Sequence, residues 1–422
     1  MQTQSDAVLT GDDGAAAAAR FDGWRVVRGA FVAQGVAIGC TISGYGLFIE
    51  SIEAELGATR SQANMGISIM LFVGAGIGPF LGRAIDRGPA RAIMLTGVVW
   101  TAIGLALLSQ ASSLLQCALV IAGMIGIGHA MFGPLPSMTI LANWFIARRG
   151  TAIGIAATGT TMAGFLVPPI TVFLIERYTW RGALLAYAVG SVVIAFPAIW
   201  VWMVKRPEDV GQFPDGQPAL ETAAPESSEH GESAPPILRQ PAFWLLAFIF
   251  GFIASASIVL ISNLVPYASD LGISRERAAY ILSSFAVFTS VGKVLFGLLV
   301  DRIDMRVALW LALGLQTTGW LLLLSQPSFE LFLAAVAIFG LGTGSLMPVQ
   351  GAMLGAVFGR AVFGRVMGLM GPIMLFPLVV SPPLIGHLYD TTGSYTLPLT
   401  IFLACFAIAA TLLLFLRIPR EA

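Results

Sequence analysis

One lysine stands inside a long apolar stretch of this sequence, where its charge could bind an anion. Lys293 lies within residues 278–302, a run that ends in Asp301 and Arg302. About twenty apolar or small residues at roughly 1.5 Å each are enough to cross a bilayer. An ammonium at membrane depth costs roughly 2.5 to 3.5 kcal/mol on insertion scales, so we expect Lys293 to face a watery cavity or a partner. The alternative is that it snorkels toward the membrane edge about 12 Å away, or forms a purely structural pair.

Other polar and aromatic residues in apolar stretches could complete a site around this cation. His129 could hydrogen-bond a substrate or carry a proton near neutral pH, or it could be a neutral histidine satisfied by a helix carbonyl. Phe132 shares its helical face, and Thr289 lies one turn before Lys293. The remaining candidates are Gln34, Ser43, Tyr45, Asn263, Tyr267 and Gln350. Each alone is more often a packing residue, but as a set they predict a site for a small anion with an apolar part.

The titratable residues limit the chemistry. The three histidines and three cysteines are scattered and form neither a metal cluster nor a nucleophile with its base, so we predict no enzyme, no metal site and no cofactor. A formal net charge of zero argues against a nucleic-acid partner. No Asp or Glu lies in the middle of an apolar stretch. Proton coupling would therefore need His129 or the carboxylate of the substrate, and exchange without protons stays open. One fixed cation suits a monoanion better than a dianion.

The composition predicts the elements that must position these residues. The chain has 422 residues, of which 57% are hydrophobic and 11% charged, and its mean hydropathy is +0.84. Soluble domains average about 25% charged residues, so this is a polytopic helical membrane protein. The predicted spans are residues 24–48, 62–85, 92–108, 114–141, 150–175, 182–204, 242–268, 278–300, 307–324, 329–357, 366–388 and 395–416. The domains are then a tail at 1–20, a six-helix bundle at 21–204, a Pro-rich acidic linker at 205–240 and a second six-helix bundle at 241–422.

The distribution of positive charge predicts the orientation. Seventeen of the 23 lysines and arginines fall on the side of the N-terminus and the linker, and five fall on the other side. Lys293 is the remaining one. Cytoplasmic loops carry the excess of positive charge, so both termini and the linker are predicted to be cytosolic, in a plasma membrane such as the bacterial inner membrane.

The two halves of the chain are related by a repeat. Residues 82–87 match residues 297–302 at an offset of 215, and glycines and prolines of 126–134 and 154–169 recur in 340–348 and 368–383 at 214. The fold class predicted is therefore an all-α membrane protein with twelve transmembrane helices in two parallel six-helix repeats, suited to alternating access. Both Lys293, which corresponds to Gly78, and His129, which corresponds to Thr343, lie where the halves disagree.

The charged ends of two helices are candidates for gating. Asp86 and Arg87 follow the second predicted span, and Asp301 and Arg302 follow the eighth. We expect these residues to act as cytosolic latches whose charge pairs form in one state and break in the other.

Three segments resemble a known family. Residues 82–91 are similar to the signature that follows helix 2 in the major facilitator superfamily. Residues 144–159 resemble the helix 4 to 5 signature of its monocarboxylate porters and oxalate/formate antiporters, and Asp22-Gly23-Trp24 looks like a shortened N-terminal signature of the same group. The resemblance implies the major facilitator fold and places Lys293 where that group has a substrate-binding arginine in helix 8.

The chain departs from that group at other positions. Thr289 stands where relatives of the animal porters have an aspartate, Ser43 lies near the position of a helix 1 lysine, and helix 11 has no lysine. These departures count against oxalate and against the usual route of proton symport.

Three functional hypotheses follow. The leading one is a secondary active transporter that moves a small organic carboxylate, bound by Lys293, by alternating access. The alternatives are an exporter of drugs or neutral solutes of the same fold, and a membrane receptor or sensor without transport. The expected partners are a small organic anion and the lipid bilayer, with protons or a counter-anion as the open choice of coupling ion, and the expected functional unit is a monomer.

Overall fold

The computed structural model describes residues 21–217 and 236–416. Within these ranges the chain is helical and contains no strand. The tail predicted at 1–20, residues 218–235 of the predicted linker, and residues 417–422 lie outside the described residues.

The described chain contains twelve long helices. The first six are α1 (Gly23–Leu56), α2 (Arg60–Arg87), α3 (Ala90–Leu108), α4 (Leu114–Trp144), and α5 and α6, which together make up Arg149–Trp202. The second six are α7 (Pro241–Asp270), α8 (Arg275–Val300), α9 (Met305–Leu324), α10 (Phe329–Phe358), α11 (Phe363–Thr392) and α12 (Thr396–Phe415). The predicted fold class is confirmed.

The boundary between α5 and α6 lies at Thr179. The stretch Arg149–Trp202 has 54 residues, which at 1.5 Å per residue would be about 80 Å long, far more than a hydrocarbon core of roughly 30 Å. Thr179 has φ 64° and ψ 170°, a backbone conformation that breaks the helix. Residues 149–178 and 180–202 are therefore two separate spans.

Helix α1 is longer than predicted. A five-residue π-helical segment, Gly39–Ser43, and Gly44 interrupt it, and the helix then continues as Tyr45–Leu56. This last part contains Glu50, Glu53 and Glu55. The span predicted from hydropathy ends at residue 48 because the helix beyond it is amphipathic and no longer continuously apolar.

Helices α1–α6 form the N bundle and α7–α12 form the C bundle. The bundles meet along two seams, one between α2 and α11 and the other between α5 and α8. These two helix pairs are related by the internal repeat, so the seams are equivalent.

The start of the linker packs on the N bundle. Trp144 Nε1 donates to the carbonyl of Val204 at 2.7 Å, and Lys205 Nζ donates to the carbonyls of Asp86 and Gly88 at 2.7 and 2.8 Å. Burial lowers the pKa of Lys205. We call this end of the molecule, which carries residues 203–217, the linker face, and the opposite end the far face. The predicted linker thus begins with a folded strap of about fifteen residues.

Candidate functional site

The seams are closed near the linker face by direct contact of helix backbones. On α2 and α11, a Cβ added at Gly78 would lie 2.9 Å from the carbonyl oxygen of Gly368, and one added at Gly82 would overlap the carbonyl of Gly364. On α5 and α8, a Cβ at Gly297 would lie 2.7 Å from the Gly150 oxygen. Only glycine allows helices to approach this closely. The structure is therefore the linker-closed state of the two bundles.

The two predicted latch aspartates cap helices of the opposite bundle. Asp86, at the end of α2, accepts hydrogen bonds from the backbone N–H groups of Gly364 (2.9 Å) and Arg365 (2.8 Å) at the start of α11. Asp301, after α8, accepts from Gly150 (2.7 Å) and Thr151 (2.8 Å) at the start of α5. The positive end of a helix dipole and its free N–H groups favour a carboxylate at this position.

This arrangement differs from the predicted charge pairs. Arg87 and Arg302 are exposed, and the two aspartates bond to backbone N–H groups instead of to an arginine. A helix start offers two N–H donors at fixed spacing, whereas a flexible arginine loses side-chain entropy when it is held. Burial raises the pKa of Asp301, against the opposing effect of its hydrogen bonds from Thr151 and Gly150. The Asp301 carboxylate is therefore partly desolvated, and its hydrogen bonds to Gly150 and Thr151 require the two bundles to be in contact.

The ammonium of Lys293 crosses the seam between α8 and α5. Its Nζ donates to the carbonyl oxygen of Ala157 at 2.9 Å and to Oγ1 of Thr160 at 2.7 Å, both on α5 of the N bundle. Lys293 is 6% exposed. No carboxylate of the described residues forms a salt bridge with it. An ammonium has three N–H donors, and the described residues provide neutral acceptors for two of them.

The depth of the ammonium excludes snorkelling in this state. Thr160 lies eleven residues from the start of α5 at Arg149, or about 16 Å along the helix from the linker face. Helical side chains lean toward the N-terminus of their own helix. Because α8 begins at the far face, Lys293 leans away from the linker face and toward the membrane centre.

Thr289 adds an unused polar group beside Lys293. It lies one turn earlier on α8 and is 6% exposed. Among the described residues its Oγ1 has no hydrogen-bond partner. A buried hydroxyl without a partner is costly, so the combination of Lys293 and Thr289 is suited to a small polar ligand.

His129 forms a second polar link, inside the N bundle. Thr41 on α1 donates to the Ala37 carbonyl at 2.6 Å, so its oxygen accepts the proton of His129 Nδ1 at 2.9 Å. The Ala37 carbonyl also lies 3.3 Å from Nδ1. We therefore assign the proton to Nδ1, which leaves Nε2 as an acceptor. His129 is half-buried, at about 22 Å from the linker end of α4.

The C bundle repeats this link with smaller residues. Ser257 on α7 hydrogen-bonds the Ile253 carbonyl at 3.1 Å and the hydroxyl of Thr343 on α10 at 3.1 Å. Thr343 is the repeat counterpart of His129. Both bundles thus join their first and fourth helices by a hydroxyl, and the imidazole is the difference between them.

Among the described residues, none of the other predicted site residues hydrogen-bonds Lys293. Phe132 is fully buried in the core, and Tyr45 donates from its hydroxyl to Ala63 O at 2.6 Å. Asn263 bonds within α7, and the Tyr267 hydroxyl donates to the Leu323 carbonyl inside the C bundle. Gln350 faces the sulfur of Met374 at 3.4 Å.

Two residues of α1 complete the predicted set. Ser43 is half-buried in the π-helical segment. Gln34 is completely buried, and among the described residues neither amide atom has a hydrogen-bond partner. Gln34 is thus a second buried polar group whose capacity is unused.

A cavity of about 250 Å³ lies in the far half of the N bundle. Its lining is mainly apolar, includes Thr41, Tyr45 and Trp180, and does not include Lys293. The cation therefore lies in the seam between the bundles and not in this cavity.

Sequence reasoning missed the α5 partners of Lys293. The signal available was the cluster Thr158, Thr160 and Thr161 in an otherwise apolar span. Thr158 and Thr161 bond carbonyls of their own helix, as threonines in membrane helices commonly do. Only the packing of α8 on α5 shows that Thr160, and not Thr158 or Thr161, is the partner of Lys293.

Comparison with known proteins agrees with this architecture. The sequence model described as Major Facilitator Superfamily matches residues 31–266 and 247–422. Among solved structures, that of the proton:xylose symporter XylE bound to 6-bromo-6-deoxy-D-glucose superposes with a TM-score of 0.71 at 13% identity, over 94% of this chain and 96% of that one. At this identity the likeness concerns the fold alone.

Two relatives are closer in sequence. Monocarboxylate transporter 13 of Bos taurus is 31% identical over 400 residues, which cover 93% of this chain and 87% of the relative. Monocarboxylate transporter 12-B of Danio rerio is 28% identical over 365 residues, covering 81% and 75%. These proteins are transporters and not enzymes. The chain is accordingly a multi-pass membrane transporter of the major facilitator superfamily and belongs to its monocarboxylate porter-like group.

Proposed function

We propose that this protein is a secondary active transporter that moves a small monocarboxylate by alternating access and binds its carboxylate through Lys293. The observation that carries the proposal is the ammonium itself. It is buried near the membrane centre, it crosses the seam between the bundles, and its described partners are two neutral oxygens. An unneutralised cation in such a place attracts an anion.

The names of the relatives support the class of substrate. A monocarboxylate has one negative charge to match one ammonium, and a dianion would bring a second charge that no described neighbour neutralises. The unpartnered hydroxyl of Thr289 can hydrogen-bond the same carboxylate or a polar group beside it. The apolar character of the surrounding helices suits a short hydrocarbon part.

The latch arrangement supports alternating access. Asp86 and Asp301 hold equivalent helix starts across the two seams, and separation of the bundles would break both caps at once. We place the linker face in the cytosol of a cell membrane, because the excess of lysine and arginine lies on that side. In this orientation the structure is closed toward the cytosol, and a monomer is sufficient for function.

Uptake into proteoliposomes tests the proposal. Labelled formate, acetate, lactate, pyruvate and a dicarboxylate, succinate, are compared with and without a pH gradient and with preloaded unlabelled anion. We expect uptake of at least one monocarboxylate above that of succinate. Lys293→Arg should retain part of the uptake, and Lys293→Met should abolish it. Full uptake by Lys293→Met would remove the site assignment, and transport of neutral solutes only would replace the function. Stimulation by a pH gradient indicates symport with protons, whereas stimulation by preloaded anion indicates exchange.

A further inference from the structure

The contacts of Lys293 bear on how a ligand could control the movement of the bundles. In the linker-closed state this cation makes one of a series of contacts along the α5–α8 seam. From the linker face inward, these are the Asp301 cap, the Gly150–Gly297 contact, the Gly154–Lys293 backbone contact and the ammonium bonds to Ala157 and Thr160. The ammonium bonds are the innermost contact and the one that a bound anion would reach.

We propose that the ammonium of Lys293 alternates between two sets of partners, Ala157 O with Thr160 Oγ1 when the site is empty and the substrate carboxylate when it is loaded, so that the anion releases the bond that joins α8 to α5. This inference rests on the proposed function. It makes Thr160 a positioning residue that sets both the affinity for the anion and the strength of the seam.

The chemistry of the partners favours an exchange. A carbonyl and a hydroxyl are neutral acceptors, whereas a carboxylate also carries a full negative charge, whose Coulomb attraction to the ammonium is strong in a low-dielectric interior. Thr160 also donates its own proton to the Ala157 carbonyl at 2.9 Å. When the ammonium leaves, both groups therefore keep a hydrogen bond to each other within α5, and the N bundle is left without a buried unsatisfied pair.

The repeat supports a dedicated role for this bond. The equivalent seam between α2 and α11 has Gly78 at the position of Lys293 and Met374 at the position of Thr160. That seam is joined by glycine contacts and the Asp86 cap. The ammonium bond is therefore not needed to close a seam of this geometry. Because only the α5–α8 seam has it, only that seam is sensitive to an anion.

The test compares two neighbouring threonines of α5. Thr160→Val removes one of the two acceptors of the ammonium, with little change in shape, and leaves the Ala157 carbonyl; Thr160→Ser retains both acceptors. Thr161→Val is the matched control, because the Thr161 hydroxyl bonds the Thr158 carbonyl of its own helix. Spin labels at the exposed positions Ala147 and Val307 report the distance across the α5–α8 seam, in a background from which the three cysteines have been removed.

Two results are expected. Without ligand, Thr160→Val should populate longer label distances that wild type, Thr160→Ser and Thr161→Val reach only when the transported monocarboxylate of the panel is added. Thr160→Val should also bind that monocarboxylate roughly tenfold more tightly, the size of one hydrogen bond to a charged group that no longer competes.

Two further outcomes would overturn the proposal, and they differ in what they say about function. If the carboxylate binds in a Lys293-dependent manner but Thr160→Val matches Thr161→Val in both distance and affinity, the exchange of partners is wrong while the function stands. If wild type binds none of the carboxylates, both are wrong. A lower unfolding temperature in Thr160→Val than in Thr161→Val identifies a folding defect in that variant. In that case, wild-type distances in Thr160→Ser show that the hydroxyl at position 160 is enough to keep the seam closed.

Discussion

At the scale of residues, the candidate site centres on Lys293, which forms no salt bridge with any described residue. The described partners of Lys293 are neutral, and Thr289, one turn away, has an unpartnered hydroxyl. A carboxylate at position 289 would change this balance, because residues four apart on a helix are neighbours.

We predict that Thr289→Asp makes transport depend on pH. The introduced carboxylate would pair with Lys293 when ionised and would compete with the substrate anion. Protonation at lower pH would remove the competition, so uptake should rise as the pH falls, with affinity at high pH reduced by about tenfold or more. Initial uptake rates between pH 5 and 8 measure the effect. Thr289→Asn, which has a similar shape and no charge, should retain the pH profile of wild type, and identical profiles for the two variants would contradict the prediction.

The candidate residues could be identified from sequence only where the residue type is energetically unfavourable in an apolar helix. A lysine or histidine in an apolar helix is conspicuous, so Lys293 and His129 could be identified without a structure. Thr160 could not, because threonine is inexpensive in a membrane helix and the sequence does not say which helix α8 packs against. Tyr267 was predicted to line a site as an aromatic residue with a polar group, and Phe132 because it shares a helical face with His129; the Tyr267 hydroxyl instead bonds the Leu323 carbonyl within the C bundle, and Phe132 is fully buried.

At the scale of elements, the two caps across the seams should stabilise the linker-closed state by similar free energies. Asp86→Ala and Asp301→Ala each leave two N–H groups at a helix start without an acceptor, at a cost of about 1–2 kcal/mol to the linker-closed state. We expect both variants to shift toward open seams and to lose turnover more than stability. Asp86→Asn should lose less, since one acceptor oxygen remains.

Label distances measure this shift. The exposed positions Ala84 and Ala361 serve for the α2–α11 seam, and Ala147 and Val307 serve for the α5–α8 seam. Arg87→Ala, which changes an exposed side chain beside Asp86, is the control and should leave the distances unchanged. Normal uptake by both alanine variants of the aspartates would remove their role as latches.

The break between α5 and α6 provides a test that concerns stability alone. Thr179 has a positive φ of 64°, which is strained for a β-branched residue and is normal for glycine. Thr179→Gly should therefore stabilise the protein by about 1 kcal/mol and raise its apparent unfolding temperature in detergent by about 1–2 °C. Thr179→Ala keeps the Cβ and should give no gain, so an equal rise in both variants would assign the effect to something other than backbone strain.

The order of the helices was predictable from hydropathy, and their ends were less so. Spans of about twenty apolar residues fix the number of crossings. The extension of α1 to Leu56 was not predictable in this way, because its last turns carry three glutamates. The cap of α5 by Asp301 also depends on which helices become neighbours, and the sequence of α8 alone does not specify this.

At the scale of the whole molecule, the two bundles approach each other through glycine. A Cβ at Gly154 would overlap the backbone carbonyl of Lys293, whereas a Cβ at Gly164, ten residues further along α5, would meet nothing within 4 Å. The first position touches the opposite bundle and the second has open space beside it.

We therefore predict that Gly154→Ala separates the bundles and Gly164→Ala does not. The Gly154 variant should show longer distances between labels at Ala147 and Val307 and should lose most of its uptake, because a methyl group cannot fit between two touching backbones. The Gly164 variant should match wild type in both measurements. Closed seams in Gly154→Ala would mean that the contact is looser than the structure shows.

The internal repeat could be read from the sequence because glycines, prolines and the Asp-Arg pairs recur at a near-constant offset. The difference between the halves at Lys293 and His129 was also visible in the sequence. The closure of both seams at the linker face was not visible, because it depends on which helices touch, and the sequence does not record this.

The central claim is that one ammonium in the seam holds the transported anion, and equilibrium binding tests it most directly. The affinity of the purified protein for the transported monocarboxylate is measured for wild type, Lys293→Arg and Lys293→Met, with Lys205→Met at the linker face as the matched control for loss of a lysine. We predict that Lys293→Met weakens binding by about 10- to 100-fold, the range for one charge-assisted hydrogen bond, while Lys205→Met retains wild-type affinity. Equal affinity in Lys293→Met and wild type would contradict the claim.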